Sequence, residues 1–249
     1  MNQVIETILA HRSVRQFTEE ALTTEQIELI VRSAQAASTS SFIQPYTIIG
    51  VTDYEVKRKL AEIAGNQSYV ANNGYLFVFC ADFYRHEVIG EMEEAELSST
   101  LESTEKFMVA LIDTALAAQN AAIAAESLGL GICYIGGLRN HLEEVCQLLE
   151  TPQRVIPLFA LVVGYPVKLN EQKPRLPLHH VFKENKYEAN QEKIRNDLHE
   201  YNDIIHQYYH ERTAGKRGDT WTNQMAKTLG NKVRMYMNDF VKGKGFNKQ

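Results

Sequence analysis

The sequence predicts a mixed fold in which helices and strands alternate, and three observations carry that expectation. Apolar residues recur at helical spacing in some segments and in short continuous runs in others, and the two textures take turns along most of the chain. The composition, 44% apolar and 23% charged, is ordinary for a soluble globular protein. A length of 249 residues allows one large domain or two small ones.

Val4, Ile5, Ile8 and Leu9 predict a short opening helix. Thr23 and Gln26 form a capping-box pattern ahead of Ile27, Ile30, Val31, Ala34 and Ala37, which follow at helical spacing. STSS, residues 38–41, is a polar loop before the strand run YTIIGV. Thr52 or Asp53 can cap a helix through Val56, Leu60 and Ile63, stopped by Gly65. YLFVFCA, 75–81, predicts a buried strand, and residues 84–103, rich in glutamate, predict an exposed and partly helical excursion. TEKFMVALIDTALAAQNAAIAAESLGLG is the strongest helix signal, and its apolar residues on nearly every face predict burial all round. ICYIG and VIPLFALVVG predict two more strands around a helix near 140–150. A proline-bearing loop with Pro166, Pro174 and Pro177 then leads to a polar helix near 190–211 and two shorter helices.

Several chemistries are excluded or disfavoured. A net charge of −5 argues against a nucleic-acid surface. No run approaches about 18 consecutive apolar residues, so no membrane span is expected, and the N-terminus lacks a signal-peptide pattern. Cys80, Cys133 and Cys146 form no CxxC pair and read as reduced thiols of a cytoplasmic protein, with Cys133 a core residue. GLGICYIGG fails as a dinucleotide fingerprint because Tyr134 stands where the third glycine is needed. AGKRGDT places Arg217 where a P-loop needs Ser or Thr. His206 and His210 at i, i+4 could chelate zinc, the basis of a hydrolase reading, but no HExxH accompanies them. No metal is expected there or at His179 and His180. With no acid, base or nucleophile on display, a bound cofactor is the expected carrier of the chemistry.

Three basic clusters remain: HRSVR at 11–15, KPR at 173–175 and RTAGKR at 212–217. Lys173 and Arg175, braced by prolines, suit a phosphate. Together with STSSFIQ, GNQSYV, ESLGLGICYIGGLRN and KPRLP, in this order over essentially the whole chain, HRSVRQFT resembles the nitroreductase superfamily, within it the NADPH-dependent FMN oxidoreductases. The resemblance implies an α+β fold with a mostly antiparallel central sheet flanked by helices. It implies one domain over 1–249, with the excursion at 84–103 and a helical extension at 190–249. Long central helices would form a homodimer holding FMN at each subunit interface.

By the same resemblance, His11, Arg12, Ser13, Val14 and Arg15 would lie against the flavin's phosphate, ribityl chain and pyrimidine edge, joined by Lys173 and Arg175. Ser38, Thr39, Ser40, Gln67 and Tyr69 would complete the cofactor contacts. Tyr134, Ile135, Gly136 and Gly137 would line the isoalloxazine, the glycines admitting backbone amides close to a flat ring. Arg212, Lys216 and Arg217 would receive the 2′-phosphate of NADPH, with Ser41, Phe42 and Arg234 near the nicotinamide or acceptor. TAGK departs from the family's usual residues there, which leaves NADH open as a second reductant. The implied activity is two-electron, ping-pong reduction of nitroaromatics, quinones or free flavin, with Arg15 stabilising reduced flavin. The alternative is an FMN carrier or redox-sensing module with little turnover.

Overall fold

The computed structural model describes residues 1–249. Polar residues set the helix starts. Asn2 Oδ1 accepts from the Ile5 amide (3.0 Å) to open α1, Gln3–Leu9. The capping box is reciprocal: Thr23 Oγ1 accepts from Gln26 N (3.2 Å), and Gln26 Oε1 accepts from Thr23 N (2.9 Å), opening α2, Thr24–Gln35. After β1, Tyr46–Val51, Asp53 caps α3, Tyr54–Ile63. Gly65, at φ +93°, takes the left-handed turn that ends it. A single turn, α4 (Ser68–Ala71), precedes β2, Tyr75–Asp82. The acidic excursion folds as α5 (Tyr84–Met92) and α6 (Ser98–Leu101), mostly exposed apart from Gly90 and Leu101.

Ser103 caps α7, Thr104–Ser127, which leads to β3 (Gly131–Ile135), α8 (Leu142–Leu148) and β4 (Val155–Gly164). Then come α9 (Leu178–Val181), α10 (Gln191–Arg212), α11 (Trp221–Gly230) and α12 (Met237–Gly243).

The four strands form one sheet in the order β1-β2-β4-β3, antiparallel at every pairing. The central pair, β2 and β4, is covered on both faces, which is why both read as unbroken apolar runs. Leu76, Val78, Cys80, Ala160 and Val162 pack with Leu60 and Ala64, at the α3 end, and with Val145 of α8. Phe77, Phe79, Leu161 and Val163 face the other way, onto Ile30 and Ala34 of α2 and the alanines at 117, 118, 121, 122 and 125 of α7. With no long side chains in the way, that alanine stripe lets α7 lie close to the sheet.

The expectation that α7 is buried all round is corrected. Met108, Ile112 and Leu116 on its other face are 45–51% exposed in the single chain. By length and apolarity α7 could cross a membrane. Its small-residue face instead packs in the core, against α2 and the sheet.

Two compact units emerge, one of Met1–Asn170 with Arg234–Gln249, the other of Glu171–Val233. In the first, α12 and Phe246 close a third cluster with Phe83, Leu142 and Ile156. The second has its own small core of Tyr201, Ile205 and Tyr209 packed with Leu176, Tyr208 and Trp221.

Candidate functional site

In the first unit the HRSVR segment is seated on the outer edge of β3. Val14 N donates to Ile132 O (2.8 Å), and Ser13 pairs with Ile132 in an isolated parallel bridge. Extended backbone alternates its side chains, so buried Val14 anchors the segment and leaves exposed Arg15 on the outside. Gly131 makes the seat possible, because a Cβ there would stand 2.7 Å from Val14 Cγ2. His11 Nδ1 donates to Glu126 Oε1 (2.7 Å). Asn170 Nδ2 donates to Ser13 O (3.0 Å), and Arg12 donates to Ala10 O and Asn170 O (3.0 and 3.4 Å). Glu126 and Asn170 position the motif from 115 and 158 residues away in sequence, and no local signal marks them.

Gln67 and Tyr69 join this group. The Tyr69 hydroxyl donates to Gln67 Oε1, and Gln67 Nε2 donates to Ala64 O (2.6 Å). Burial, with Cys133 beside it, pushes the Tyr69 phenol up, against the hydrogen bond and charge of Arg15. Burial likewise raises the Cys133 thiol, opposed by Arg15, Tyr69 and Ser13. Cys133 is the core residue the sequence suggests, yet it sits beneath the donors Ser13, Arg15 and Tyr69.

The end of β3 differs from expectation in detail. Ile135 turns its side chain into the core, leaving only its backbone to face a ligand, while Tyr134 is partly exposed, edge-on to Phe159. The glycines answer first to internal packing: a Cβ at Gly137 would lie 2.7 Å from Ala64 O, and one at Gly136 2.9 Å from the Arg139 guanidinium. This packing is a second reason for glycine at both positions, beside the close approach to a flat ring that the sequence suggests. Arg234, at φ +56°, donates twice to Asn140 Oδ1 (3.0 and 2.9 Å) just beyond these glycines.

The serine loop stands elsewhere. Ser40 donates its amide and hydroxyl to Asp113 (3.0–3.2 Å), a carboxylate of α7 only 1% exposed. Ser41 and Phe42 take positive φ values of 50° and 59°, and Phe42 is 80% exposed. Glu126, which holds His11, lies 13 residues beyond Asp113 on the same helix, so the two donor groups are held about 20 Å apart in one chain. Ser38, Thr39, Ser40, Ser41 and Phe42 are therefore not brought to residues 11–15 within a single copy.

In the second unit, the two basic clusters that the sequence assigns separately meet on one ring. Lys173 Nζ lies 5.6 Å and Arg217 Cζ 4.2 Å from the centroid of Tyr209. Burial would raise that phenol, but Lys173, by hydrogen bond and charge, and then Arg217 and Gln224 carry it below the usual tyrosine value. Arg212 donates to the Tyr208 hydroxyl (2.7 Å), Arg217 pairs with Asp219 (2.7 Å), and Arg175 and Lys216 are exposed. Tyr201 donates to Pro174 O (2.9 Å), fastening the KPR segment to α10. A cavity of about 770 Å³ lined by Lys59, Glu62, His141 and Glu144 contains none of the motif residues.

Residues 8–165 match the family model described as "Nitroreductase family", and residues 173–249 the one described as "Nitroreductase family, C-terminal domain". The chain belongs to the nitroreductase family. A Bacillus subtilis relative named FMN reductase (NADPH) is 56% identical over 248 residues, covering 100% of both chains. An NADPH-dependent oxidoreductase of Staphylococcus haemolyticus is 43% identical, covering 99% of this chain and 98% of that relative. Among solved structures, the B. megaterium NfrA1 structure matches with a TM-score of 0.98 and 63% identity, over 99% of this chain and 100% of that one. The NADPH:FMN oxidoreductase of Vibrio harveyi, complexed with NAD+, matches at 0.90 and 38% over 100% of both chains. Together with the all-antiparallel sheet, these place the chain in the nitroreductase fold.

Proposed function

We propose that this nitroreductase is an FMN-dependent NADPH oxidoreductase that reduces nitroaromatics, quinones or free flavin two electrons at a time. The observation that carries this reading is the donor group formed by Ser13 and Arg15, seated by backbone pairing on β3, with Gln67 and Tyr69 at the start of α4. Its chemistry fits FMN: an exposed guanidinium, an amide and hydroxyls suit a carbonyl-rich ring edge, and Arg12 in the first unit, like Lys173 and Arg175 in the second, is the kind of cation a phosphate requires. FMN, when bound, would supply the two-electron redox chemistry that links the nicotinamide to the acceptor. Arg15, whose charge acts on the neighbouring Tyr69 phenol, would set a cation where reduction adds negative charge. Arg212, Lys216 and Arg217 receive the 2′-phosphate of NADPH. NADH, which lacks that phosphate, is the slower reductant.

The separation of the two donor groups along α7 supports a homodimer. The apolar strip of Met108, Ile112 and Leu116 and the apolar face of α1 (Val4, Ile5, Ile8, Leu9) are exposed in one chain. A second copy covering them would supply its own 38–42 loop to the Ser13–Arg15 site. Three buried, unpaired cysteines fit a cytoplasmic enzyme.

Purified protein is expected to be yellow and to bleach on adding NADPH without oxygen. Colourless protein that FMN cannot reconstitute would overturn the reading. FMN-loaded protein that NADPH fails to bleach would favour a carrier.

A further inference from the structure

A second set of chemically capable side chains lies in the Glu171–Val233 unit, outside everything used above. α9 carries His179 and His180 side by side, and α10 turns Asp197 and Glu200 toward them from one face, at i and i+3. His179 Nε2 stands 3.7 Å from Asp197 Oδ1 and 3.7 Å from Glu200 Oε2. The ligand-capable atoms of His179, His180 and Glu200 all lie within 4.8 Å of one another. His180 is half-buried, and its Nε2 is enclosed without a hydrogen-bond partner. Its ring is set edge-on to both His179 and Tyr201.

An ion pair alone explains this poorly. A separation of 3.7 Å is too long for a hydrogen bond, and protonating His179 does nothing for the orphaned nitrogen of His180. A buried polar atom without a partner calls for a ligand or water.

We propose that His179, His180 and Glu200, with Asp197 beside them, form a binding site for a divalent transition metal of the zinc class. Two imidazoles and a carboxylate are the nitrogen and oxygen donors that suit zinc, and they are a poor set for calcium or magnesium. Metal–ligand bonds of about 2.0–2.2 Å in tetrahedral array set donor atoms roughly 3.5 Å apart. The observed spacing therefore closes by about an ångström, within rotamer reach of the exposed His179 and Glu200. The adjacency of the two histidines is visible in the sequence, but the carboxylates opposite them, 17 to 21 positions away, become visible only once α10 packs on the 173–181 segment. The ion is a brace. It fastens to α10 the segment that carries Lys173 and Arg175, and takes no part in electron transfer.

The test uses full-length, FMN-loaded, tag-free protein stripped with a chelator. Zn²⁺ is titrated by calorimetry and Co²⁺ by its visible absorption. One saturable equivalent per chain is expected, with cobalt bands of a four- or five-coordinate site. His180→Ala and the isosteric Glu200→Gln should each weaken Zn²⁺ binding at least tenfold, while the His206→Ala/His210→Ala double variant leaves it unchanged. Absence of a saturable equivalent overturns the proposal. So does an equivalent that survives both His180→Ala and Glu200→Gln, or one abolished by the His206/His210 change.

Discussion

The two groups of basic residues are held by opposite means. The HRSVR segment is fixed by its backbone, paired to β3 and wedged by Val14 over Gly131, so Arg15 projects from a strand edge. Lys173 and Arg217 are fixed by their side chains, leaning on the ring of Tyr209, with Arg217 in a loop bearing positive-φ Ala214 and Gly215. A cofactor that stays bound suits the rigid edge. A reductant that must arrive and leave suits the Arg217 guanidinium, on a flexible stem over an aromatic plate.

The largest expected effect tests whether the rigid site is complete in one chain. Ile112→Glu places a charge in the exposed apolar strip of α7 and should give a monomer by sedimentation velocity, with FMN affinity down more than about a hundredfold, roughly 3 kcal/mol. A monomer that keeps its flavin would break the argument from the 20 Å separation.

Gly137→Ala comes next, since its Cβ would strike the Ala64 backbone. It should cost about 1–3 kcal/mol and lower the melting temperature by roughly 2–4 °C per kcal/mol, with FMN release. An unchanged melting curve would mean that the α3 end yields freely, and that the first site is less rigid than its hydrogen bonds suggest.

For the adaptable region, Arg212→Ala and Arg217→Ala should each raise KM for NADPH about 10–100-fold, the loss of one charge-assisted contact of roughly 1.5–3 kcal/mol. KM for NADH and the melting temperature should barely move. Equal losses with both nucleotides would remove the loop from the 2′-phosphate.

The smallest effect is spectroscopic. Because Lys173 and Arg217 hold the Tyr209 phenol low, one tyrosine should ionise ahead of the others in an ultraviolet pH titration. Tyr209→Phe should abolish that step and Lys173→Gln should move it upward. The sign for stability follows. As pH rises toward the ordinary tyrosine value, the native state releases this proton before the unfolded chain does, so this residue's contribution to stability grows with pH and is lost on returning below the folded value.

Local features of this kind were legible in the sequence wherever the interaction is local. The Thr23–Gln26 box, the Asp53 cap and the apolar runs of β2 and β4 need only near neighbours or burial to be read. For α7 the composition shows how apolar the helix is but not which face a single chain covers. Glu126, Asp113 and Asn170 escaped, each being an ordinary polar residue until the fold sets it beside His11, Ser40 or Ser13. The meeting of Lys173 and Arg217 over Tyr209 escaped for the same reason, since nothing in KPR or RTAGKR names the ring between them.

Phe246 also constrains the order of events during synthesis. It packs against Phe83 and Phe107, while Lys248 bonds Glu102 and Thr104 bonds residues 247 and 249. The ribosome makes these partners more than a hundred residues earlier. The nascent chain therefore carries an open aromatic socket through most of translation, exposed to chaperones and to neighbouring nascent chains. Two consequences for expression follow: slow translation before residue 246 should increase aggregation, and fusions that delay release of the 240–249 segment should yield less flavin-loaded protein.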